Sequence, residues 1–147
     1  MSFYDPSTPD HLQPPVEREL AHFLGTMTAF VRGSFVLKPL PELLDSIEQL
    51  RQDAVSAKTI SKKNGYLSTL AIDAALAAYC VIVEAGADSI NESMDDLCNK
   101  VCERARALSR DEQPTQLTIP SISELPWHDA VEGLIDLSAK AIAMSAV

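Results

Sequence analysis

Apolar residues recur at helical spacing in five segments of the chain, and proline or glycine separates these segments. In the first segment, apolar side chains follow one another at steps of three and four residues from Val16 to Val31. Pro14 and Pro15 mark its start, because proline suits the first turn of a helix, and Gly33 ends it. The pattern predicts an all-α fold, a compact bundle of about five helices.

The second and third segments differ in how apolar they are. The second helix is predicted to follow Pro41, and the third to run from Tyr66 to Ala85 after a turn at Asn64-Gly65. Asp73 is the only charge in the third helix before its last turn, so this helix is predicted to be central. The inner face of the second helix is predicted to carry Leu40, Leu44, Ile47, Leu50 and Ala54.

Two helices and two irregular segments complete the prediction. Residues 89–92, Ser-Ile-Asn-Glu, fit a capping box at the start of the fourth helix, and the fifth is predicted from Trp127 to Ala146. Residues 111–126 form a long loop before this last helix, of a length that is often functional or mobile. Residues 1–13 are predicted to be a mobile N-terminal arm, and residues 14–147 a single helical domain.

Net charge, apolar run length and cysteine count indicate which partners and which cellular location to expect. The 147 residues carry a net charge of −9, which argues against nucleic acid and against an anionic membrane, since both attract basic surfaces. The longest apolar run, Ala74 to Val83, is too short to cross a bilayer, and the N-terminus lacks the features of a secretory signal. Three cysteines, an odd number, are typical of reduced, buried thiols. These features predict a cytoplasmic location.

Motifs for catalysis and metal binding are missing from the sequence. Cys98 and Cys102 lie one helical turn apart, but a zinc site also needs a second close pair of ligands. His11, His22 and His128 are scattered, and no glycine-rich phosphate loop or nucleophile elbow occurs. We therefore expect no metal, no cofactor and no enzymatic activity.

Asp73 supports the alternative of a ligand-binding or enzymatic bundle. At 100° per residue, it shares one side of the third helix with Tyr66 and Thr69, and with Cys80 and Glu84 further along. A pocket lined by Tyr66, Thr69 and Asp73 would hold Asp73 ready as a base. The competing interpretation makes this side the solvent-facing strip of a mostly buried helix.

Acidic residues are concentrated in two blocks without any base, at 84–99 and 111–139. Such blocks are either interaction faces or solvated faces that maintain solubility. The first block is the candidate partner-binding surface, and its acids are Glu84, Asp88, Glu92, Asp95 and Asp96.

The acidity and the missing motifs together favour a small cytosolic binding protein. We expect it to neutralise or regulate a partner protein by covering part of its surface, as bacterial immunity proteins and antitoxins do. The expected partner has a basic surface, because opposite charge speeds encounter. The alternatives are the pocket at Asp73 and a homo-oligomeric scaffold that pairs leftover apolar helix faces.

Overall fold

Five α-helices make up the protein in a computed structural model that describes residues 15–33, 36–86, 90–111 and 116–146. The predicted arm at 1–13 and the capping serine at 89 lie outside these residues. No strand occurs among the described residues, and the predicted all-α bundle is confirmed. The helices are α1 (Pro15–Val31), α2 (Leu40–Ser56), α3 (Ile60–Glu84), α4 (Ile90–Arg110) and α5 (Trp127–Ser145).

The start of α3 corrects the prediction of a turn at Asn64-Gly65. The helix begins six residues earlier than Tyr66, and both turn-forming residues lie inside it. The Oγ1 atom of Thr59 accepts a hydrogen bond from the backbone N–H of Lys62 at 3.2 Å, so Thr59 caps the first turn. A glycine inside a helix costs only about 1 kcal/mol relative to alanine, and the cap together with the packing of α3 outweighs that cost.

The inner face of α2 also differs from the prediction. Leu43 is buried and faces the core, whereas Leu40, Leu44 and Leu50 are half-buried at its margin. Ile47 and Ala54 are buried as predicted. The sequence places leucines side by side at 43 and 44, and contact with α3 decides which of them turns inward.

The core is built on α3, which contacts all four other helices. Its closest partner is α5, and small residues are buried on both sides of their contact. The Oγ atom of Ser138 donates a hydrogen bond to the backbone oxygen of Ala71 at 2.7 Å, which satisfies a buried hydroxyl. The prediction that the third helix is central is therefore confirmed. The buried alanines are Ala71, Ala74, Ala75, Ala77 and Ala78 in α3 and Ala130, Ala139, Ala141 and Ala143 in α5.

Side-chain neighbours give the directions of the helices. α5 runs antiparallel to α3, because Trp127 lies in one cleft with Ile82, whereas Met144 lies in another with Leu67. α1 and α4 are also antiparallel, since the carboxylate of Glu17 accepts two hydrogen bonds from the guanidinium of Arg106 at the start of α1 and the end of α4. The hydroxyl of Ser68 in α3 donates a hydrogen bond to the carboxylate of Glu19 in α1, so α1 lies beside α3 as well as beside α4.

The bundle therefore has two ends, each named here after a residue of α3. At the Ile60 end, α1 and α3 begin while α2, α4 and α5 end. At the Glu84 end, α1 and α3 end while α2, α4 and α5 begin. Consecutive helices α4 and α5 run parallel, so the segment between them must return along the whole bundle, about 30 Å for the 21 residues of α4.

The returning segment, residues 111–126, is called the crossover here. Leu117 lies beside Met144 near the end of α5, and Pro120 lies against Gly133 further back. Ile119 and Ile122 pack against the core. The length of this loop thus follows from the parallel directions of α4 and α5.

α3 also bears on the expectation that no membrane is involved. By length and composition alone its 25 residues are long and apolar enough to cross a bilayer, although the longest uninterrupted apolar run is short. More than half of its most apolar stretch is buried inside the bundle, and core helices of soluble proteins meet the same criterion. The absence of a membrane partner stays a prediction.

The contact between the crossover and α5 predicts the effect of adding a methyl group at Gly133. In the variant Gly133→Ala, the new Cβ would lie 2.9 Å from Cβ of Pro120, closer than packed carbons approach. We expect the free energy of unfolding to fall by about 1–3 kcal/mol, measured by urea unfolding.

The matched control is Gly65→Ala in α3, where the new Cβ meets nothing within 4 Å. This variant should be more stable than the wild type by about 0.5–1 kcal/mol, because alanine favours helix over glycine. Equal stabilisation by both substitutions would show that the crossover does not rest on α5 at this point.

Candidate functional site

A cleft of about 300 Å³ opens at the Glu84 end, between the last turn of α3 and the first halves of α4 and α5. It is called the Trp127 cleft here. Three helices contribute to it because α4 and α5 both begin at this end, beside the last turn of α3. Its lining residues are Ile82, Asp96, Leu97, Lys100, Trp127, His128, Val131, Glu132 and Ile135.

The floor of the Trp127 cleft is apolar and its edge is aromatic. Leu97, Val131 and Ile135 are buried and form the floor. Trp127 is 43% exposed, and its ring lies against that of His128 with 3.6 Å between the ring centroids. Pro126 is the N-cap of α5, so Trp127 is the first residue of this helix and its side chain is not buried in the core. A large aromatic beside an apolar floor offers contact area to a partner.

Ion pairs within α4 and between α4 and α5 form the polar rim. Nζ of Lys100 lies 3.5 Å from a carboxylate oxygen of Asp96 and 3.9 Å from one of Glu132. Glu132 also pairs with the guanidinium of Arg104, which donates a further hydrogen bond to its backbone oxygen at 3.2 Å. These pairs are partly exposed, so each contributes about 1 kcal/mol at most. Both rim cations, Lys100 and Arg104, are thereby compensated by carboxylates.

The predicted partner-binding acids do not converge on one point. Glu84, Asp95 and Asp96 are exposed at the Glu84 end, but only Asp96 lines the Trp127 cleft. Asp88 and the side chain of Glu92 lie outside the described residues. The described acids therefore surround the Glu84 end rather than form a single cluster.

Two further grooves place exposed apolar side chains next to these acids. Glu84 lines a groove with Leu37 and Val83, both partly exposed. Asp95 lines a groove between α1 and α4, where Leu24 and Val31 are exposed. The Glu84 end therefore combines carboxylates with apolar surface from four helices. Sequence reasoning found the acids and missed the apolar part, because its members are far apart along the chain.

None of the cavities described here is lined by Tyr66, Thr69 or Asp73, the residues of the alternative site. Tyr66 packs half-buried against the core, while Thr69 is exposed and donates a hydrogen bond to the backbone oxygen of Gly65 at 3.1 Å. Asp73 faces α2, where its Oδ2 atom accepts a hydrogen bond from Oγ of Ser46 at 2.8 Å. Asp73 thus connects two helices. Burial raises its pKa, and the hydrogen bond from Ser46 and the charge of Lys38 oppose that shift.

The thiols and other metal-ligand residues offer no site within the described part of the chain. There, no three side chains among His, Cys, Asp and Glu lie close enough to hold a metal ion. Cys98 and Cys102 are buried as predicted, and Cys80 is half-buried. Burial raises the pKa of Cys98 to about 12 and that of Cys102 to about 11, so both are neutral thiols near pH 7.

The raised pKa of Asp73 predicts how the substitution Asp73→Asn changes stability with pH. The folded protein binds the proton of Asp73 more tightly than the unfolded chain, so this residue lowers the free energy of unfolding as pH rises from its ordinary pKa of 3.8 through the folded value. The amide of the variant would retain an acceptor for Ser46 without the charge. We expect the variant to gain stability relative to the wild type at about pH 7, and less at about pH 4, in urea unfolding.

The control Asp45→Asn changes the net charge by the same amount but removes an exposed carboxylate of α2 in place of a partly buried one. A variant at Asp73 that is less stable than the wild type at neutral pH would mean that attraction to Lys38 outweighs burial.

Burial also predicts the order in which the thiols react. Cys80 should be labelled first by a thiol reagent in the native protein, and Cys98 and Cys102 only after unfolding, because the thiolate is the reactive form. Mass spectrometry of partly labelled protein checks this order. Equal labelling of all three without denaturant would contradict this order, and zinc bound in stoichiometric amount would contradict the expectation of no metal.

Comparison with known proteins does not indicate a function for the Trp127 cleft. No protein-family model matches the chain, and no curated protein or solved structure matches it either.

Proposed function

We propose that the protein binds a partner protein through the Glu84 end and thereby neutralises or regulates it. An apolar side chain of the partner would enter the Trp127 cleft, and basic residues around that side chain would face Asp95 and Asp96. The observation that carries the proposal is the exposed Trp127 beside an apolar floor. Tryptophan at the edge of a desolvated pocket is among the residues that contribute most to binding.

The size and chemistry of the cleft favour a side chain over a substrate. Its volume of about 300 Å³ lies at the lower limit of pockets that hold small molecules. The charged groups on its rim are engaged with one another, since Lys100 lies between Asp96 and Glu132. A rim of paired charges around an apolar floor is the usual arrangement of a protein interface.

Charge favours a basic partner. The chain carries a net charge of −9, and Glu84, Asp95 and Asp96 are exposed around the cleft. Such a surface attracts a basic partner over distances of several ångströms and raises the association rate. The same charge opposes the pairing of two copies at this end, because each would bring carboxylates toward those of the other. A partner of a different sequence is therefore favoured over a homodimer.

The test uses the full chain as bait and compares variants at the two ends of the bundle. Trp127→Ala should weaken binding by about 2 kcal/mol or more, mainly through faster dissociation, because the anchor of the interface is lost. Asp95→Asn with Asp96→Asn should slow association and reduce its dependence on salt, with little change in dissociation. Binding rates are measured at two salt concentrations with the partner that the wild-type bait retains.

Matched controls lie away from the Glu84 end. Val55→Ser removes an exposed apolar side chain there, and Glu103→Gln with Asp111→Asn removes two exposed charges elsewhere. Both controls should leave the rates unchanged apart from a small general effect of net charge. Equal binding by the Trp127 variant and the wild type would refute the proposal, as would loss of binding by the controls alone. A complex that contains only copies of this chain would replace it with the homo-oligomer.

A further inference from the structure

The Ile60 end holds a second cavity of about 550 Å³, called the Arg51 groove here. It lies where α2 and α5 end, α3 begins and the crossover starts its return. The buried side chains of Ala54 and Leu67 form its floor, and the half-buried Leu117 and Met144 form one wall. Its volume is within the range of small-molecule pockets.

Two cations stand at the mouth of this groove. Arg51 is held by Glu48, whose carboxylate accepts hydrogen bonds from Nε at 2.9 Å and from Nη2 at 2.6 Å. A guanidinium has five N–H donors, so this pairing fixes the orientation of Arg51 and leaves donors for a ligand. Lys63 is exposed on the first turns of α3 and makes no ion pair with any described residue.

The position of these cations is unusual for this chain. The net charge is −9, yet Lys58, Lys62 and Lys63 all lie in or beside the first turns of α3, close in sequence to Arg51. Val55, which is 80% exposed, forms an apolar lip next to them. An apolar floor with positive charge at one side is complementary to a molecule that has an apolar chain and an anionic head.

We propose that the Arg51 groove binds the monomeric anion of a medium-chain fatty acid. The carboxylate would accept hydrogen bonds from Lys63 and from the free donors of Arg51. The chain would lie over Leu67 and against Leu117 and Met144. This site is at the opposite end of the bundle from the Trp127 cleft, so the inference stands independently of the proposed partner.

The experiment titrates decanoate, below its micelle-forming concentration, into the full chain and follows binding by calorimetry and by nuclear magnetic resonance. We expect one site, with shifts confined to residues around the groove. Lys63→Gln should weaken the binding about five- to tenfold, because one charge-assisted hydrogen bond is lost at a partly exposed site. The control Lys62→Gln removes the neighbouring exposed lysine, which does not line the groove, and should bind decanoate as the wild type does.

A second variant tests the same groove without changing Lys63. Val55→Glu places a carboxylate at the exposed lip, where the side chain packs little against the core, and should also weaken decanoate binding by repulsion. Absence of saturable decanoate binding would overturn the proposal, as would an equal loss of affinity in the Lys62 and Lys63 variants.

Three other probes separate related chemistries. Decanol binding as tightly as decanoate would contradict the role of the cations. Inorganic phosphate binding at the same site with similar affinity would contradict the role of the apolar floor. Binding to vesicles of anionic lipid without binding of monomeric decanoate would replace the groove with a membrane-facing surface.

Discussion

The close packing of α3 against α5 sets the positions of almost everything else in the bundle. Alanines are buried on both helices, so the two backbones approach closely, and the bond from Ser138 to the backbone of Ala71 fixes their register. In this antiparallel register Trp127 lies beside Ile82 and Met144 lies beside Leu67. The Trp127 cleft and the Arg51 groove are thus the two ends of one helix–helix contact.

The same contact accounts for the crossover. Once α5 is antiparallel to α3, it is parallel to α4, and the chain must cross the bundle between them. In the described part of the crossover, residues 116–126, the apolar side chains of Leu117, Ile119 and Ile122 pack against the core on the way. The crossover follows this path in close contact with α5, because the ring of Pro120 packs against Gly133. A side chain at position 133 would push the crossover away from α5.

Local signals in the sequence were enough to find the helices but not their arrangement. Periodicity located α5 to within a residue of its end. The prediction of a turn at Asn64-Gly65 was wrong. A glycine inside a helix costs about 1 kcal/mol, and the cap at Thr59 together with the packing of α3 outweighs that cost. Acidity correctly indicated Asp96 as an exposed residue, yet the Trp127 cleft was not predictable. Its walls come from three helices, and no local pattern states which of their ends meet.

The order of the helices along the chain has a consequence for synthesis on the ribosome. The helix that covers the main apolar face of α3 is α5, and it is the last of the five to be made. Until it emerges, the nascent chain exposes the alanine- and leucine-rich side of α3 without the helix that buries it. Such surface promotes aggregation and attracts chaperones. The native packing around α3 is therefore complete only after the fifth helix has left the exit tunnel.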